Sequence, residues 1–272
     1  MNVTLFNIAM TVYAVASVLY ALYLAAKKNR ILGLAATGVC LVGFLVNTTA
    51  FALRWVETHQ LGFGYVPLSN MFESMVFFAW GIILIYLIFE WVYDMRALGV
   101  FVAPLGALAI AVVSLNPRIS TQIQPLVPAL QSNWLTAHVV TCFIGYAAFA
   151  VSFAVSLAYL FKGKNPDGLL PSGKHLDEIA YKSIAVGFPF LTLGILTGAI
   201  WANYAWGTYW SWDPKETWSL ITWFFYAAYL HARLTAGWRG VPLAWLSVVG
   251  FVAVIVTYWG VNFLLSGLHS YG

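Results

Sequence analysis

The chain has 272 residues, of which 62% are hydrophobic, 17% aromatic and 8% charged, with a mean hydropathy of +0.83. Those values exclude an ordinary soluble domain and mark a polytopic membrane protein. The formal net charge of +4 does not argue for a nucleic-acid partner, because Lys and Arg in such a chain first report orientation across the bilayer.

Eight apolar segments reach the roughly 20 residues that a helix needs to cross a bilayer. They lie near residues 5–26, 31–53, 71–93, 97–115, 137–161, 183–204, 217–236 and 242–265. None shows the alternation of a barrel strand, and open sheet edges are not tolerated in hydrocarbon. The expected fold class is therefore all-α, about eight transmembrane helices in a single integral membrane domain over residues 1–272. Only Met1 to Thr4 precede the first span, without Lys or Arg, so that span is expected to be retained rather than cleaved as a signal peptide.

Lys27, Lys28, Arg30, Arg96, Lys162, Lys164, Lys174, Lys182, Arg233 and Arg239 follow the odd-numbered spans, which places ten of the 13 basic residues on one side. The positive-inside rule makes that side cytoplasmic and both termini extracytoplasmic. Arg54, Arg118 and Lys215 are left outside. Cys40 and Cys142 fall within spans with no CxxC spacing, so they read as small buried side chains. P-loop, GxGxxG, HExxH and GxSxG motifs are all missing, which argues against a nucleotide-driven pump or a hydrolase recognisable by motif.

After span two the loop carries Arg54, Glu57 and His59, and Ser69 or Asn70 with Glu73 forms a capping pattern for span three; a helix start and a functional role both remain open for Asn70 and Glu73. The loop after span four delivers His138 to the outer end of span five, where an imidazole suits either the headgroup region or ligation. Residues 162–182 read as a solvated connector that includes His175.

Span six leads to residues 201–218, where Trp201, Tyr204, Trp206, Tyr209, Trp210, Trp212 and Trp218 fall within 18 residues. An interfacial belt scatters its aromatics. This concentration instead offers flat, rigid surfaces suited to a large planar ligand. The following Asp213, Pro214 and Glu216 describe a helix start. His231 lies inside span seven, where an ionisable residue is a functional candidate by default. His269 returns to the outer side after span eight, so His138 and His269 flank the aromatic loop on one face. Haem is a flat apolar macrocycle with two propionates whose iron takes axial imidazoles, and this set of residues meets those needs. Zinc would want three or four ligands. Lys215, Arg54 and Arg118 are each available to a propionate as a point charge.

The segment WGTYWSWDPKETWSLITW resembles the WGxxWxWD signature of the WWD haem-handling membrane proteins of cytochrome c maturation. With GYVPLSNMFES, LQSNWLTAHV, YLHARL and GLHSYG, the chain is similar over nearly its whole length to the CcsA/ResC subunits of the System II cytochrome c synthase. That resemblance implies His138 and His269 as axial ligands of haem b at an extracytoplasmic site, with Trp206, Gly207, Trp210, Trp212 and Asp213 as its platform. It implies His231 as ligand of a transmembrane haem site. The implied activity is that of a haem lyase subunit, which moves haem outward and presents it to the CxxCH thiols of apocytochrome c with a ResB/CcsB-type partner. The implied location is the bacterial cytoplasmic or thylakoid membrane, with the WWD segment on the periplasmic or lumenal side. A CcmC-like haem exporter without ligation activity is the competing expectation, and a membrane subunit whose tryptophans form only an interfacial belt is a third.

Overall fold

The computed structural model describes residues 1–162 and 169–264. Eight principal helices account for most of them: α1 (Asn2–Ala25), α2 (Arg30–Gln60), α3 (Met71–Tyr93), α4 (Gly99–Ser114), α5 (Asn133–Lys162), α6 (Gly173–Trp206), α7 (Pro214–Leu234) and α8 (Val241–Ile255). α8 runs on through a π-type turn at Val256–Gly260. No strand occurs among the described residues. Seven helical stretches are long and apolar enough to cross a membrane. α7, expected as the seventh of eight spans, is not among them, because much of its bulk is Trp and Tyr and it carries Lys215, Glu216, His231 and Arg233.

Two compact units divide the chain, the first from Met1–Pro125 and Lys162–Ser172, the second from Leu126–Phe161 and Gly173–Gly272. In the first, α1 packs on α2 and α4, and α3 packs on α4. α1 buries Phe6, Ala9, Tyr13, Ala16 and Tyr20, the i, i+3, i+4 stripe of a helix with one inward face. One buried carboxylate inside gathers several partners. Glu90 accepts from the hydroxyls of Tyr20 (2.7 Å), Tyr86 (2.5 Å) and Thr37, and lies 3.4 Å from the Arg96 guanidinium.

Three expected loops are helical instead. α2 continues seven residues beyond residue 53, and Arg54, expected in a solvated loop, is 1% exposed and pairs with the equally buried Glu73 at 2.9 Å. Its guanidinium also donates to the Thr121 carbonyl (3.0 Å) and to Asn2 Oδ1 (3.3 Å). Asn70 Oδ1 caps the Glu73 amide at 2.9 Å, and Glu73 accepts from the amide and hydroxyl of Ser69. The capping reading thus holds, and Glu73 has a second task in neutralising Arg54. α6 starts at Gly173, so residues 173–182 are helix rather than connector, and α5 starts four residues before its expected span.

The reason for the early start of α6 is ionic. Asp177 and Glu178 lie in its first turns and pair with Arg233 of α7, the second at 3.0 Å, while Asp177 also accepts from the Gly240 amide at 2.9 Å. Arg233, counted above among loop charges, is buried. α5 is the most enclosed helix of this second unit. At Gly145 and Gly187 the backbones of α5 and α6 nearly touch, a Cβ on Gly145 falling 3.1 Å from the Gly187 carbonyl, which is the small-residue contact typical of membrane helices. Hydroxyl pairs Thr222–Thr257 and Ser152–Ser247, each at 2.9 Å, tie α8 to α7 and α5.

Candidate functional site

His138 sits in the second turn of α5, half-buried, against α6. Its Nδ1 is 2.7 Å from the Gly194 carbonyl oxygen. A carbonyl only accepts, so Nδ1 carries the proton and the Nε2 lone pair is left for a ligand. Hydrogen bonding of one ring nitrogen to a backbone carbonyl is the usual way in which a metal-binding imidazole is oriented. Cys142, one turn along α5, lies 3.6 Å from Nδ1.

Trp201 stacks beside the imidazole, its ring 15° from parallel with centroids 6.1 Å apart. It is 2% exposed and donates from Nε1 to the Ala129 carbonyl at 2.8 Å. Trp206 meets Trp201 edge-on at 4.8 Å. A continuous run from His138 through Trp201 to Trp206 follows.

Gly207 ends α6 in the left-handed conformation, φ +77°, with its amide bonded to the Asn203 carbonyl at 2.9 Å. Only glycine adopts that stop without steric cost. Trp210 and Trp212 cross at 89° with centroids 5.7 Å apart. Trp212 is 68% exposed and holds φ at +61°, a conformation that costs a side-chain-bearing residue on the order of 1–2 kcal/mol. Strain of this kind concentrates at ligand clamps. Tyr204 and Tyr209 are exposed as well.

Asp213 caps α7, its Oδ1 accepting from the Lys215 amide at 2.9 Å, while Glu216 accepts from the Ser211 and Asp213 amides. This is a complete capping box. Asp213 thereby positions the loop from behind rather than facing outward. Lys215 donates to Asn262 at 2.9 Å and lies 5.8 Å above the Tyr258 ring. Burial pushes its ammonium down to about 8, against the pull of Asp213. Its charge is close enough to be felt at His138. Of the three outer cations named above, Lys215 is the one in this unit, whereas Arg54 is committed to Glu73.

The structure thus links His138 to Trp206 through Trp201, places Lys215 in the same unit, and gives Gly207 and Asp213 roles in the backbone frame of the loop. His231 is exposed near the other end of α7, about 24 Å from Lys215 at 1.5 Å per residue. His269 lies outside the described residues. No group of three or more His, Cys, Asp or Glu side chains able to hold a metal ion occurs among the described residues. Gly194 and Gly198 escaped attention in the sequence, although their GxxxG spacing is a signal for close helix contact.

The family model for cytochrome c assembly proteins matches residues 68–269. The cytochrome c biogenesis protein CcsA of Gloeobacter violaceus is 38% identical, the match covering 100% of this chain and 96% of that protein. CcsA of Guillardia theta is also 38% identical over 98% of this chain, and CcsA of Chlamydomonas reinhardtii is 45% identical over 85% of it. In architecture the chain is similar to the solved cytochrome c haem lyase CcmF, with a TM-score of 0.71 at 20% identity, covering 98% of this chain and 47% of the other. It therefore spans about half the length of that protein and shares its fold. Matched along nearly its whole length by relatives at this level of identity, the chain belongs to the cytochrome c assembly protein family.

Proposed function

We propose that this chain is the haem-handling subunit of a cytochrome c synthase, with haem b as the substrate it moves outward and presents at His138. The observation that carries this reading is the imidazole pinned through Nδ1 to the Gly194 carbonyl, with Nε2 left for iron beside an aromatic run that ends at Trp206. His269 is the opposing axial ligand, and Trp210 and Trp212 supply the planar surface. Lys215 is the point-charge partner for a propionate. His231 belongs to a separate transmembrane haem site, completed by a ResB/CcsB-type subunit. Residues 1–272 act as one integral membrane domain, with the Trp-rich segment on the periplasmic or lumenal side.

The chemistry that haem supplies is a pair of electrophilic vinyl groups. Each thiol of apocytochrome c adds across one vinyl group, so that a C–S bond forms while the S–H proton passes to the neighbouring vinyl carbon. The contribution of this chain is to hold the macrocycle in register with the incoming CxxCH, which replaces a bimolecular encounter by an oriented one. His138 and His269 would hold the iron through their imidazoles and would shield it from oxygen until the substrate histidine arrives.

Co-expression with a ResB-type partner and an apocytochrome tests the reading. Covalent haem on the cytochrome, lost with His138→Ala, is the expected result. A protein that binds and exports haem yet yields no covalent product under any partner condition would favour an exporter instead.

A further inference from the structure

Three residues of α6 meet the His138 ring from one side, at positions 194, 198 and 201. Gly194 gives the carbonyl that accepts from Nδ1. A Cβ placed on Gly198 would lie 2.6 Å from Nδ1 and 2.8 Å from Cε1. Carbon and nitrogen do not approach that closely without bonding, so the imidazole fills a volume that only glycine leaves open. Trp201 closes the seat, and it is itself fixed by Ala129 and by the edge of Trp206. One turn along, Cys142 Sγ fills the space beside Gly194, where an added Cβ would come within 2.5 Å of it.

The ring is therefore held on several sides. Turning it to relieve a contact at position 198 would break the 2.7 Å bond to Gly194. With that bond lost, the proton is no longer confined to Nδ1, and Nε2 is presented as a lone pair for only part of the time. We propose that Gly198 and Trp201 are positioning residues for the outer iron ligand: they hold the His138 imidazole in the orientation and tautomer in which Nε2 can ligate. This rests on the assignment of His138 as a haem ligand made above. The same contacts connect the Trp-rich loop to the ligand, since Trp206 bears on Trp201 and Trp201 on His138.

The test uses the full chain purified in detergent, in a His231→Ala background so that the outer site is read alone, and titrated with haem b. Gly198→Ala should keep wild-type helicity while its haem affinity falls about 10–100-fold, the usual effect of disturbing the groups behind a metal ligand. Its optical spectrum should shift from six-coordinate low-spin toward high-spin. Added imidazole should restore the low-spin bands, a rescue that a merely structural lesion would not show. Trp201→Leu should act in the same direction, and Trp201→Phe less so because an aromatic face remains. Wild-type affinity and spectrum in Gly198→Ala would overturn the proposal. If Gly198→Ala does not fold, Trp201→Leu decides, and wild-type behaviour there overturns it equally. His138→Ala separates the two levels: if it binds haem as wild type does, the assignment of His138 fails, whereas loss in His138→Ala with no change in the seat variants sinks the seat alone.

Discussion

Replacing Arg54 by Met would leave the Glu73 carboxylate buried without its cation. The pair is 1% and 0% exposed at 2.9 Å, and removal of one partner from a buried ion pair costs about 3–5 kcal/mol. Glu73 keeps its bonds from the Ser69 amide and hydroxyl, which offset part of the loss, so the lower end, about 3 kcal/mol, is expected. The guanidinium also ties down Thr121 and Asn2, and those acceptors lose their donor together with Glu73. Chemical unfolding in mixed micelles measures the effect. Arg54→Met with Glu73→Met should be less destabilising than the sum of the single changes, because the doubly apolar site contains no orphaned charge. Per folded molecule, haem binding should be unchanged. An Arg54→Met protein within about 0.5 kcal/mol of wild type, the usual range for a solvated surface residue, would refute the buried pair; loss of haem binding at unchanged stability would return Arg54 to the site.

Asp213→Ala should lose the cap of α7 at about 1 kcal/mol and loosen the Trp-rich loop, while Asp213→Asn, which retains the acceptor, should bind haem as wild type does; equal haem loss in both variants would show that the carboxylate charge itself is needed. Haem affinity at the outer site should fall up to about 10-fold as pH rises through about 8, where the half-buried Lys215 loses its proton, and Lys215→Arg, which stays charged, should abolish the fall. The sign for stability is opposite: with its pKa lowered from 10.5, Lys215 binds its proton more weakly in the folded chain, so the fold gains stability as pH rises from about 8 toward 10.5. A flat affinity profile, or the same fall in Lys215→Arg, would remove Lys215 as a propionate partner. His231→Ala should reduce the haem that reaches the outer site in cells and leave the outer-site bands of haem added to the purified protein unchanged; altered outer-site bands would mean that His231 is not a separate site.

Apolar length made the helices legible. An apolar run of membrane-spanning length, opened by the Asn70 cap, marks out residues 71–93, and Asp213, Pro214 and Glu216 state the start of α7 through capping chemistry. The helix ends that failed were those where polar residues continue a helix on the strength of distant partners. Arg54 reads as a loop cation until Glu73, 19 positions later, is seen beside it. Asp177 and Glu178 read as solvent-facing until Arg233 arrives from α7. At the site, residue identity singled out His138 and the tryptophans. What the sequence did not disclose is that the ring of His138 depends on two glycines of another helix, since neither Gly194 nor Gly198 has a side chain to advertise the contact.

Whether His138 offers Nε2 to iron is read from the optical and electron paramagnetic resonance spectra of haem bound to the purified full chain, wild type beside His138→Ala. Low-spin bis-imidazole signals in wild type, lost in His138→Ala and recovered with added imidazole, are the predicted result. Identical low-spin spectra from the two proteins would contradict the claim.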